Sequence, residues 1–179
     1  MMIEQAQRDV RTTFLGGFAG QLVSAVIWFL SAGLATWYSQ NTGIAVLVFG
    51  GVFIFPLTQL LLRLMGHRAS LPKGHAMNGL AMQVAFTLPL TLPLVGAATL
   101  YRPEWFFPAF MIALGAHYLP FIFLYGMWQF GVLAAVLFSG GLLLGLYGPP
   151  VFALGGWLTA VVLLAFAFVG RNVVTREGA

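Results

Sequence analysis

In a chain that is otherwise nearly all hydrocarbon, one histidine stands apart from the polar loops. His117 lies in the segment Gly115-Ala116-His117-Tyr118-Leu119-Pro120-Phe121. It is about nine residues from the nearer end of its apolar run, roughly 14 Å deep at the rise of an α-helix. An ionisable side chain at that depth needs a partner or water, and it marks a functional position by default. Pro120 has no N–H, so the carbonyl of Ala116 loses its helical partner beside the imidazole. With Tyr118 as a second hydrogen-bonding group and Thr87 at a similar depth in another run, His117 can make a polar contact for a proton, a cation or a hydroxylated solute. The competing reading is a histidine bonded to a neighbouring helix, where it locks a bundle.

A second pattern is built from amides. Gln21, Gln59 and Gln83 each fall about six or seven residues from the same-side end of their runs, roughly 9–10 Å deep. Gln129 opens a further run, and Asn78 and Arg63 lie above this layer. Equal depth suggests a polar vestibule leading to His117 and Thr87. Interhelical amide hydrogen bonds worth about 0.6–2 kcal/mol each would give the same spacing. Arg63 is expected to snorkel to the headgroups. Prolines supply kinks: Pro56 frees the carbonyl of Val52, and Pro89 frees that of Ala85. The Pro89-xxx-Pro93 spacing predicts a bend or break near the middle of its run, with Thr87 and Thr91 able to satisfy the backbone. Broken helices frame midplane sites in transporters, although an ordinary kink is the plainer reading.

Several chemistries lack their residues. The chain contains no cysteine, and no Asp, Glu or Lys falls within an apolar run. That removes thiolate metal sites, a carboxylate proton relay and a lysine Schiff base. His67 and His75 stand in a polar loop without metal-ligand spacing, so no metal and no cofactor is expected; the loop reads as solvated and basic, facing anionic lipid. Ser24, Ser31 and Ser139 have only His117 as a candidate base, and nothing in the spacing favours that pairing.

The elements that must position these groups follow from composition. Of 179 residues, 60% are hydrophobic and 7% charged, with mean hydropathy +0.95, against about 25% charged in soluble domains. The solvent for such a surface is lipid. Six apolar runs, at about 14–38, 43–65, 77–100, 106–126, 128–147 and 151–169, are each near the ~20 residues needed to cross ~30 Å of hydrocarbon. None alternates as a spanning strand would, and the first is too long for a signal-peptide core. The expected fold is all-α: one domain of six transmembrane helices, spanning 14–170.

Residues 1–13, with Glu4, Arg8, Asp9 and Arg11, are expected as a solvated tail in preference to a helix lying on the membrane surface; 171–179 form a second tail. Arg8, Arg11, Arg63, Arg68, Lys73, Arg171 and Arg176 fall on one side of the six spans and only Arg102 on the other. The basic side is the cytoplasmic one, so both termini are expected inside a plasma (inner) membrane. Aromatic residues then line both interfaces: Trp37, Tyr38, Tyr101, Trp105 and Tyr147 outside, Tyr125 and Trp128 inside. The net charge of +4 reads as topology, not as a nucleic-acid footprint.

Two further patterns concern packing. Gly16-xxx-Gly20 in the first run, and Gly141 and Gly145 in the fifth, offer faces for a second copy or another membrane protein. Six spans also divide as three plus three, with Gly50-Gly51 and Gly140-Gly141 in similar places of two inverted halves.

The segments Ile54-Phe55-Pro56-Leu57, Trp105-Phe106-Phe107-Pro108 and above all Gly115-Ala116-His117-Tyr118-Leu119-Pro120-Phe121, with Leu124-Tyr125, resemble a family of small multi-span membrane proteins catalogued as a domain of unknown function. The resemblance covers roughly residues 14–145, and implies a fold and a focus on the fourth run without a mechanism. The leading expectation is binding or passage of a small solute at His117. A non-enzymatic assembly partner with a structural His117 is the alternative, and an intramembrane enzyme acting on lipid is the weakest of the three.

Overall fold

The computed structural model describes residues 2–178, all of them in helices and their connections. Seven α-helices follow one another: α1 (Ile3–Thr13), α2 (Phe18–Trp37), α3 (Gln40–Leu64), α4 (Asn78–Tyr101), α5 (Phe106–Tyr125), α6 (Gln129–Tyr147) and α7 (Leu154–Gly178). Six of them, α2 to α7, are long and apolar enough to cross a membrane. The protein is an all-α, multi-pass membrane bundle.

Local chemistry fixes the turns. Ser39 caps α3, its Oγ accepting from the Thr42 N–H at 3.1 Å, which satisfies one of the orphan donors at a helix start. α5 stops at Gly126, whose left-handed φ of 64° lets the N–H groups of Gly126 and Met127 return to the carbonyl of Ile122. Close approach inside each hairpin also depends on glycine. A Cβ on Gly43 would collide with Ala35 and the Ser31 carbonyl; one on Gly115 would meet the backbone of Ala134 and Phe138.

The spans form an open arc in the order α3, α2, α7, α6, α5, α4. α2 takes α3 and α7 as neighbours, and α5 takes α6 and α4. Exchanging α2 with α5, α3 with α6 and α4 with α7 converts one three-helix group into the other. This is the pairing that two inverted halves with exchanged third helices would give. The symmetry fails at one place: α6 packs against α7, whereas α3 and α4 scarcely approach each other.

Several expectations need correction. Residues 3–13 are a helix, not a solvated tail: Ala6 and Val10 are buried. The end expected as a second tail continues α7. Gly16 does not share a helical face with Gly20, because Leu15, Gly16 and Gly17 all have positive φ and turn the chain from α1 into α2. The partner-facing glycines are used within the chain: Gly16 abuts Gly170, Gly20 faces Thr58, Gly141 faces Pro108 and Met111, and Gly145 faces Pro108. Finally, α4 runs unbroken through Pro89 and Pro93.

Candidate functional site

α4 and α5 bring Thr87 and His117 together. Thr87 Oγ1 lies 2.8 Å from His117 Nδ1 and 2.7 Å from the carbonyl of Val84. The carbonyl can only accept, so the single hydroxyl proton belongs to it. The imidazole must then donate from Nδ1 to Thr87 Oγ1. In the neutral ring this leaves Nε2 as an acceptor, and among the described residues no protein group partners it. Rings of Tyr118 and Phe121 stand edge-on to the imidazole at 5.6 and 5.1 Å.

His117 borders a cavity of about 130 Å³ between the two three-helix groups, large enough for several waters, since one needs only about 10–15 Å³ of such space. Gln21 and Ser24 line it from α2, and Ile54 and Thr58 from α3; Tyr118, Phe121 and Tyr125 join His117 from α5, with Phe14 and Phe130 at one end. Gln21 is only 4% exposed. Its Oε1 and the hydroxyl of Thr58 are buried with no hydrogen-bond partner. Burying such groups unpaired costs about 1–3 kcal/mol each. Among the described residues no Asp, Glu, Lys or Arg lines it.

The expected polar layer is only partly assembled. Gln21 is in the wall. Gln59 is half-buried outside it, and Gln83 is exposed on α4. The Oε1 of Gln129 is another unpartnered acceptor, in a narrow crevice on the far side of Gln21. Pro56, Pro89 and Pro93 are exposed and Pro120 is half-buried. Ser24 and Thr58 were not among the expected site residues. Ser24 had a signal, since it follows Gln21 by one helical turn and so shares its face.

α1 is fastened to the end of α5. Gln7 Nε2 donates to the Phe123 carbonyl at 2.6 Å, and Arg11 donates to the Tyr125 carbonyl at 3.3 Å. These are final carbonyls of α5, which have no helical partner and carry the negative end of its dipole. Arg11 also pairs with Glu177 of α7 at 2.6 Å. The connection before α4 is tied to the same helix. His75 Nδ1 accepts from the Met77 N–H, so its Nε2 proton points to Asp9 at 3.4 Å. His75 is therefore buried, against the expectation of a solvated loop.

Beyond His117, toward the other end, the space between α2 and α5 is filled. Trp28 of α2 meets Phe107 and Phe110 of α5 at 5.9 and 5.3 Å, and Phe106 and Phe152 stack behind them at 6.1 Å. This aromatic cluster closes the bundle beyond the cavity. Thr87 orients His117 but is no activated nucleophile, because its proton is held by Val84.

Comparison with curated proteins and with solved structures gives no match. A family model matches residues 3–171, nearly the whole chain and more than the 14–145 suggested by its motifs. The chain belongs to that family, DUF7010, a family of unknown function.

Proposed function

We propose that this membrane protein binds a small, uncharged, hydrogen-bonding solute in the cavity between its two helix groups. His117 Nε2 and Gln21 Oε1 accept from the solute, and Thr58, Tyr118 and Tyr125 offer hydroxyls. The observation that carries the reading is the pair of buried, unpartnered oxygens on Gln21 and Thr58 in the same wall as His117. From the lysine and arginine distribution, the α1 end is the cytoplasmic face of a plasma membrane. Passage of the solute further requires the Trp28–Phe107–Phe110 cluster to part. A second copy or other membrane partner would have to use the faces of α3 and α4, since the glycines expected for that role are occupied within the chain.

Absence of cysteine makes the test direct. His117→Cys is compared with Leu119→Cys, whose side chain is 55% exposed on the outer wall of α5. A small impermeant thiol reagent is applied to either face of sealed membranes. The expected result is rapid modification at position 117 from the α1 side, with position 119 silent. A folded protein unreactive at 117 from both sides would remove the solute-site reading.

A further inference from the structure

The cavity lies against the open side of the arc. α3 supplies Ile54 and Thr58, and α5 supplies His117 and Phe121. The helices on this side have few neighbours: among the described residues α3 packs chiefly on α2, and α4 chiefly on α5 and the turn that leads to it. These two helices are also the least covered of the six, with 6% and 11% of their spans buried against 28–50% for the others. Ile54 and Phe121 bring hydrocarbon to the cavity on this side, and α3 and α4 expose further apolar side chains, among them Phe55, Leu57, Phe86 and Leu90. A molecule dissolved in the bilayer meets this opening without leaving the bilayer.

The polar wall restricts what such a molecule carries. Gln21 Oε1 and His117 Nε2 need a donor, Thr58 can give or accept, and among the described residues no Asp, Glu, Lys or Arg lines the cavity to balance a phosphate or an ammonium. A hydroxyl group meets these terms, because it donates and accepts at one atom. We propose that the ligand is an uncharged long-chain amphiphile with a hydroxyl head, which enters sideways between α3 and α4 and leaves its tail in the bilayer. The inference rests on the solute-site reading above and names the substrate class of that site.

The test uses the full chain in phosphatidylcholine vesicles containing a hexadecanol analogue with a diazirine near its hydroxyl. After irradiation, adducts are mapped by mass spectrometry, with the lipid-facing Val161 of α7 as internal reference. Adducts concentrated on Ile54–Thr58 and His117–Phe121, suppressed by unlabelled hexadecanol and not by glycerol, are expected. The double variant Gln21→Leu, Thr58→Val should lower them about tenfold, the loss expected from two hydrogen bonds, with Val161 labelling unchanged. Adducts spread evenly over α3, α4 and α7, or indifferent to the double variant, would overturn the inference. Competition by glycerol without competition by hexadecanol would also overturn it, yet leave the solute site standing.

Discussion

The two three-helix groups meet along one seam and part along the other, though the chain's own pairing relates the two places. At the α6/α7 side, Leu133, Leu137, Ala160, Leu163 and Ala167 are fully or almost fully buried. On the α3/α4 side, Phe53, Phe55, Met82, Phe86 and Leu90 are exposed. In lipid there is no hydrophobic drive to bring apolar faces together, so association depends on close packing and small residues. α7 supplies them: Gly155 and Gly156 lie against Phe107 of α5, across the groups. α3 and α4 also have glycines, but Gly51, Gly79 and Gly96 have nothing within 4 Å. Composition alone does not close a seam; a glycine needs a bulky neighbour that fits it.

That contrast can be broken most severely at the glycines. Gly156→Leu places its Cβ 2.7 Å from Phe107 and 3.0 Å from Ala32, and should cost about 3 kcal/mol or prevent folding. Gly51→Leu should be neutral or stabilise by up to about 0.5–1 kcal/mol through helix propensity. Denaturation midpoints in detergent, compared side by side, would shift equally if the seams were alike.

Phe107→Ala comes next. It removes a fully buried ring from the aromatic cluster and should cost about 2–3 kcal/mol, below the ~3–5 of water-soluble cores because hydrocarbon solvent removes the transfer contribution. Phe121→Ala at the cavity margin should cost less than half as much in the same unfolding assay. Thr87→Val leaves the Nδ1 proton of His117 without an acceptor and should destabilise by about 1–2 kcal/mol, whereas Thr91→Val, whose hydroxyl only returns to the Leu88 carbonyl, should cost under about 0.5 kcal/mol. Equal losses would mean that the Thr87–His117 contact contributes nothing. The smallest effect belongs to Glu177→Gln: with an exposed carboxylate it should cost under about 1 kcal/mol, and less still in high salt. A larger loss that persists at high salt would place the Arg11 tie on the same footing as the closed seam.

Sequence carried depth well and direction poorly. Counting residues from the ends of the runs placed Thr87 and His117 at one height, and in the structure they share a hydrogen bond. The same counting set Gln21, Gln59 and Gln83 in one layer, but only Gln21 faces the cavity. Height along a helix follows from rise per residue, whereas the facing direction depends on which neighbour packs there: Gln83 precedes Thr87 by one turn of α4 and is nonetheless exposed. α1 did carry an apolar stripe: Ile3, Ala6 and Val10 recur at helical spacing, with Ala6 and Val10 buried. Its many charges drew the reading toward solvent, although Arg11 and Gln7 are spent on the carbonyls of α5 and on Glu177. The gap between α3 and α4 had no sequence mark, since lipid-facing and helix-facing surfaces are equally hydrophobic.

The fastenings of α1 also set an order of events during biosynthesis. Its partners at Phe123 and Glu177 lie 116 and 166 residues further along the chain. At about 5–20 residues per second, a ribosome takes roughly ten to thirty seconds to deliver the last of them. For that interval α1 has emerged without the surfaces that bury Ala6 and Val10, exposed to proteases and to any factor that handles nascent membrane chains. A segment made before the six spans is therefore seated only after all of them, and its docking marks a chain in which α7 has arrived.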